Sequence, residues 1–179
     1  FPRIITSKEW QKIEYGIIQR IKAINFFIKD VYNEKFIIRD GIISPNDIFL
    51  TNNFVKEMNS LQVPYDIYTH NAGVDLIRNN DGKFYVLEDN LRTPSGVSYM
   101  LENREISKRI LPGILNANKV RSIMDYPLKL YNKLKSLSQK NNPNIVLLTP
   151  GIFNSAYYEH STLARLMGVE LVEGQDLVV

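Results

Sequence analysis

Two carboxylates and an amide bracket a turn signal. Asp75 lies in Gly73-Val74-Asp75-Leu76-Ile77-Arg78, and Glu88 and Asn90 lie in Phe84-Tyr85-Val86-Leu87-Glu88-Asp89-Asn90. The Asn79-Asn80-Asp81-Gly82 stretch between them has the composition of a hairpin turn. Carboxylate and amide oxygens are hard donors, which suit Mg²⁺ better than zinc. Mg²⁺ bound by one or two carboxylates keeps several waters and engages nucleotide phosphates. Arg92 follows Asn90 by two residues and adds positive charge beside such a cluster.

The register decides whether these groups meet. With a four-residue loop, Asn79 to Gly82, Ile77 faces Phe84 and Asp75 faces Val86. Side chains alternate along a strand, so Asp75, Val86, Glu88 and Asn90 then share a face, with Asp75 and Glu88 a diagonal pair. A loop of odd length places Asp75 on the other face. Arg78 is expected opposite to Asp75. The alternative reading is a solvated hairpin face, or an Asp–Arg surface pair.

Other elements must hold this hairpin. Thr6 and Glu9 have capping-box spacing, and Trp10, Ile13, Ile17, Ile21, Ile24, Ile28 and Val31 recur at helical spacing over 7–33. Ser44-Pro45 opens a short helix, which residues 52–60 continue or follow with another turn. Pro64 begins extended structure through Tyr65 and Ile67. Residues 92–96 read as a loop, 97–111 as a helix stopped by Pro112-Gly113, and Pro127 as a helix start. Residues 145–148 read as a buried strand. A helix capped by Asn154 or Ser155 and ended by Gly168 comes next, then a strand at 169–172, which together make a βαβ unit. The expected class is α/β: an α+β N-terminal part (1–140) with the hairpin, then the start of a βαβ domain (144–179), divided at the polar break 141–144.

Composition excludes several classes. The chain has 179 residues, 44% hydrophobic and 23% charged, close to globular averages. A net charge of +3 with scattered basic residues makes no nucleic-acid stripe. No apolar run is long enough to span a membrane, and 1–7 lack a signal-peptide pattern. Cysteine is absent, which excludes disulfides and thiolate chemistry and fits a cytoplasmic setting. His70 and His160 lack metal-ligand spacing to each other, and no Gly-x-Ser-x-Gly elbow surrounds Ser95. The turn at Thr149 to Ser155 opens a helix whose amides favour anions, or is an ordinary capped turn. The Phe1 start and the strand-like end at 176–179 are expected to be cuts in a longer protein.

The ordered set of motifs carries a resemblance. Gly73-Val74-Asp75-Leu76-Ile77-Arg78, Val86-Leu87-Glu88-Asp89-Asn90, Thr93-Pro94-Ser95-Gly96-Val97-Ser98-Tyr99 and Glu102-Asn103-Arg104 resemble the circularly permuted ATP-grasp family, related to the synthetase half of glutathionylspermidine synthase. Gln19-Arg20, Asp40-Gly41, Leu148-Thr149-Pro150-Gly151, Glu159-His160 and Glu173-Gly174-Gln175-Asp176-Leu177 extend it along nearly the whole chain. The resemblance implies a partial ATP-grasp-like architecture. It implies Mg²⁺ held by Asp75, Glu88 and Asn90, Arg92 as a phosphate or acyl-phosphate contact, and Ser95 and Gly96 in the nucleotide loop beside them.

The implied chemistry is ATP-dependent carboxylate–amine ligation. A small-molecule or peptide carboxylate takes a phosphoryl group from ATP, and an amine then displaces phosphate from the acyl phosphate. The lysines, the glycine-rich loop over the phosphates and the adenine pocket are not found here, and no Gly-x-x-x-x-Gly-Lys run occurs. The piece alone is therefore expected to be inactive. The rival expectation is a non-catalytic scaffold or binding domain of a peptide-modifying system.

Overall fold

Thr6 shows why the first helix begins where it does. Its hydroxyl accepts from the Glu9 amide at 3.3 Å, and the Glu9 carboxylate accepts from the Thr6 amide at 2.8 Å. This reciprocal cap opens α1 (Ser7–Tyr32). The computed structural model describes residues 2–178. Ile13 and Val31 are buried, and Ile17, Ile21, Ile24 and Ile28 are half-buried between them. Trp10 lies outside this covered stripe, 41% exposed.

Asp30, near the end of α1, caps the next helix. Its two carboxylate oxygens accept from the amides of Phe36 and Ile37, both at 2.9 Å, at the start of α2 (Phe36–Arg39). Ser44 caps α3 (Pro45–Phe49) through the Asn46 amide, with proline in the first turn as its spacing predicts. The helix does not continue over 52–60, where only a 3-10 turn forms at Lys56–Met58. Pro64 does not begin a strand either. Pro64–Asp66 is a 3-10 turn with Tyr65 and Asp66 left-handed, at φ 60° and 55°. The Lys29 ammonium bonds the Asp66 carboxylate at 2.7 Å and ties this turn to α1.

The hairpin strands are β1 (Gly73–Arg78) and β2 (Phe84–Asn90), antiparallel. The chain divides into two compact units between Pro94 and Ser95, and the polar break at 141–144 lies within the second. The second unit holds α4 (Val97–Ile110), α5 (Pro112–Ala117), α6 (Tyr126–Lys135), β3 (Val146–Leu148), α7 (Tyr157–Met167) and β4 (Glu170–Val172). Pro112 was expected only to stop a helix. It also starts α5, because a first-turn position needs no amide donor.

β3 and β4 pair in parallel, Val146 with Glu170 and Leu148 with Val172, so the mixed α/β class with a βαβ element is realised. β3 is less buried than its apolar run predicts: Leu148 is 55% exposed. Neither Asn154 nor Ser155 caps α7 directly; Asn154 accepts from the Ala156 amide at 2.9 Å, one turn before the helix. Gly168 ends α7 at φ 70°, a left-handed position glycine adopts without strain. α7 packs on α4, α6, β3 and β4 and is the centre of this unit, where Leu101 and Ala164 are each 2% exposed. The strand expected at 176–179 is not formed among the described residues, since Gly174–Asp176 is a 3-10 turn; Val179 lies outside them. Among the described residues no helix is long and apolar enough to cross a membrane.

One pH dependence follows from α1. The Thr6 amide bond, then the Thr6 hydroxyl and the Arg78 guanidinium, hold Glu9 below its ordinary value of 4.5. A depressed folded value gives stability that is complete above the unfolded value and lost as pH falls through the folded one. Acid titration is therefore expected to loosen the start of α1 below about pH 4.5. Helicity followed by circular dichroism should show this in the natural sequence and not in Glu9→Gln.

Candidate functional site

The hairpin turn is longer than its sequence signal. Arg78 faces Phe84, which leaves a five-residue loop closed by the Asn79 amide donating to the Lys83 carbonyl at 2.9 Å. Gly82 takes φ 77°, and the Asp81 carboxylate accepts from the Lys83 amide at 2.9 Å. A four-residue loop was expected. By itself the odd loop puts Asp75 on the wrong face.

A β-bulge reverses that outcome. Leu76 faces Val86, but Asp75 faces Glu88, so Leu87 is an extra residue in β2. Past the bulge Val74 faces Asp89 and Gly73 faces Asn90. Asp75 and Glu88 thus become direct partners rather than the diagonal pair expected with Asp75 opposite Val86. Direct partners have Cβ atoms about 4.5–5.5 Å apart and project from the same face. Asn90 shares that face two residues on, and its amide donates to the Glu88 carboxylate at 3.1 Å. The structure therefore brings Asp75, Glu88 and Asn90 together on one exposed surface.

The other face of the hairpin is fastened to α1. Asp89 lies between Glu88 and Asn90 and points away from them. Its carboxylate takes a two-pronged bond from the Arg20 guanidinium, 2.9 and 2.8 Å from Nε, with a third contact of 2.7 Å. That bond raises Arg20 above its ordinary value. Arg78 bonds Glu9 of α1 and lies over the Phe84 ring at 4.7 Å. It therefore forms no surface pair with Asp75, as its opposite face predicted.

Segments on either side of the hairpin are pinned as well. Asn25 of α1 accepts from the amides of Tyr68 and Thr69 at 2.8 and 3.1 Å. The buried Thr69 hydroxyl donates to the Leu91 carbonyl at 2.9 Å. A Cβ at Gly73 would stand 2.8 Å from Cβ of Pro94, so glycine there lets the loop after β2 fold back on β1. Arg20, Asn25 and Thr69 are positioning residues that spacing did not single out. They pair at separations of 69, 43 and 22 residues, which no local pattern encodes.

Within the hairpin the acids fall into two kinds: among the described residues Asp81 and Asp89 are ion-paired, and Asp75 and Glu88 are not. Glu9, Asp66, Asp81 and Asp89 each have a basic partner. Among the described residues Asp75 and Glu88 form no ion pair, although they are like charges directly opposed. Such pairs destabilise a sheet. The donor set, two carboxylates and an amide oxygen, fits a hard divalent cation such as Mg²⁺. No group of three or more His, Cys, Asp or Glu converges among the described residues, so the amide is needed to complete the set.

The remaining candidates are placed as follows. Arg92 is exposed in the loop after β2. Ser95 is exposed and Gly96, at φ 99°, starts α4. The Gly96 amide is engaged by Glu159 at 2.7 and 2.8 Å. Thr149 is buried, and its hydroxyl accepts from the Gly151 amide at 3.3 Å and lies 2.9 Å from Nδ1 of His160, so the turn before α7 is internally satisfied. His70 is half-buried ahead of β1.

A bulged acidic hairpin beside a long helix, with a parallel βαβ element in a second unit, defines a mixed α/β protein. The chain belongs to the circularly permuted ATP-grasp type 2 family, whose model matches residues 2–179. It is 46% identical over 178 residues to an uncharacterised protein of Mycobacterium tuberculosis, covering 98% of this chain and 32% of that protein. It is 46% identical to an uncharacterised Synechocystis protein, covering 99% of this chain and 37% of that one. A protein of Frankia casuarinae, provisionally named a glutamate–cysteine ligase, is 35% identical over 181 residues, covering 99% of this chain and 21% of that protein. The chain spans about a third of the length of the mycobacterial and cyanobacterial relatives.

The Arg20–Asp89 pair is expected to set cation affinity. Replacing residues that orient metal ligands costs about 10–100-fold in affinity. Arg20→Ala in the full-length protein should weaken Mg²⁺ binding by about that factor, and Arg20→Lys by less. An unchanged Mg²⁺ titration would mean that β2 holds Glu88 without α1.

Proposed function

We propose that these residues are the cation-holding part of an ATP- and Mg²⁺-dependent carboxylate–amine ligase. The observation that carries this reading is that Asp75 and Glu88 are directly opposed with, among the described residues, no ion pair to either, a placement of like charges that a divalent cation would relieve. The family and the provisional ligase name of a Frankia relative support it.

Asp75, Glu88 and Asn90 would hold Mg²⁺, which neutralises charge on the phosphate oxygens of ATP during transfer. Arg92 sits in the loop that leaves β2 and contacts the transferred phosphoryl group, a role suited to a planar, always-charged guanidinium. Ser95 offers a hydroxyl to a phosphate oxygen, and Gly96 shapes the turn. The substrate carboxylate oxygen attacks the γ-phosphorus and ADP departs. The amine nitrogen then attacks the acyl carbon, phosphate leaves, and the amine loses a proton.

This region works as part of a larger protein. Tyr15, Phe26, Leu50 and Phe153 are 74, 71, 76 and 98% exposed. Such apolar surface is covered in a longer chain, and the isolated piece is inactive as a ligase.

In the full-length protein, Glu88→Ala and Asn90→Ala should each abolish Mg·ATP turnover. Asp75→Asn should raise the melting temperature without metal and remove most of the stabilisation given by Mg²⁺ with nucleotide. Full activity in Glu88→Ala would overturn the site. A full-length protein that gains no stability from Mg²⁺ and nucleotide would instead be a scaffold.

A further inference from the structure

We infer that Glu159 is a positioning residue for the Ser95–Gly96 turn and sets the backbone that the nucleotide meets; this rests on the ATP-dependent reading above. Helices need acceptors for their first amides. α4 begins at Gly96, which has no side chain to supply one. The acceptor comes from α7 instead. The Glu159 carboxylate takes the Gly96 amide at 2.7 and 2.8 Å and the Val97 amide at 3.1 Å. The Ser98 hydroxyl then donates to the Glu159 carbonyl at 2.9 Å. Three consecutive residues of the turn are therefore bound to one residue.

Burial argues for a specific role. Glu159 is 6% exposed and Ser98 is fully buried. A buried carboxylate is costly unless fully bonded, and here the bonds are charge-assisted at the positive end of a helix. Ser, Thr or Asp cap a helix from extended backbone, whereas residue 96 is left-handed at φ 99°, where any side chain is strained, so the cap must come from elsewhere. With glycine there, an added Cβ would meet nothing within 4 Å. The remote carboxylate holds the inner side of the turn and leaves the outer side bare for a ligand. Because the Gly96 and Val97 amides are committed to Glu159, the phosphate contact of this turn falls to the exposed Ser95 hydroxyl.

The test uses the full-length protein with Glu159→Gln, and Glu159→Asp should the first variant fail to fold. Expected are a KM for ATP raised about tenfold with kcat little changed, and faster amide exchange at Gly96 and Val97. An unchanged KM for ATP overturns the inference. So does a fall in kcat and melting temperature together, or failure of both variants to fold, since Glu159 then serves stability alone. Glu88→Gln is the control: if it retains turnover, the ligase reading fails; if it is inactive while Glu159→Gln matches the natural protein, only the present inference fails.

Discussion

Leu87 is one residue more than the hairpin ladder needs, and the first unit depends on it. Without the bulge, a five-residue loop sends Asp75 toward α1 and leaves Glu88 without a partner. With it, two carboxylates and an amide share the open face. A one-residue register change exchanges the two faces of a strand. The bulge makes that exchange partway along β2, so the half near the turn and the half near the site have opposite parity. Bulges recur where a side chain has to be re-aimed.

The energetic logic of the hairpin is a contrast between its faces. One face satisfies its charges: Asp89 with Arg20, Arg78 with Glu9. Exposed ion pairs contribute little singly, but a two-pronged guanidinium bond fixes geometry as well as energy. The other face leaves like charges opposed. Holding them requires support from elsewhere, which comes from Asn25, Thr69 and the close approach of Pro94 to Gly73. The like charges are thus opposed on the face that α1 does not cover.

Much of this was legible in the residues. The capping box at Thr6 and Glu9, the apolar stripe of α1, the proline starts of α3 and α6 and the glycine end of α7 are local, and local rules found them. That Asp75, Glu88 and Asn90 share a face was also expected, though by a register that proved wrong in detail; the odd loop and the bulge offset each other. A bulge has no reliable composition signal, so spacing could not place it. Pro64 misled because the left-handed pair after it is held by Lys29, far away in sequence. The burial of β3 was overestimated because an apolar run does not say what covers it. Arg20 and Glu159 escaped for the same reason: each acts on a residue more than sixty positions distant.

The capping of α4 by α7 also bears on synthesis. Glu159 lies 63 residues after Gly96. At roughly 5–20 residues per second, its codon is reached about 3 to 13 s after that of Gly96. Through that interval the start of α4 has no acceptor from its own unit. The acidic hairpin is complete before Glu159 exists, whereas the turn at 95–96 acquires its bonded form only after α7 has emerged. The order of translation thus separates an acidic hairpin, available early, from a turn whose bonded shape is withheld until α7 has emerged.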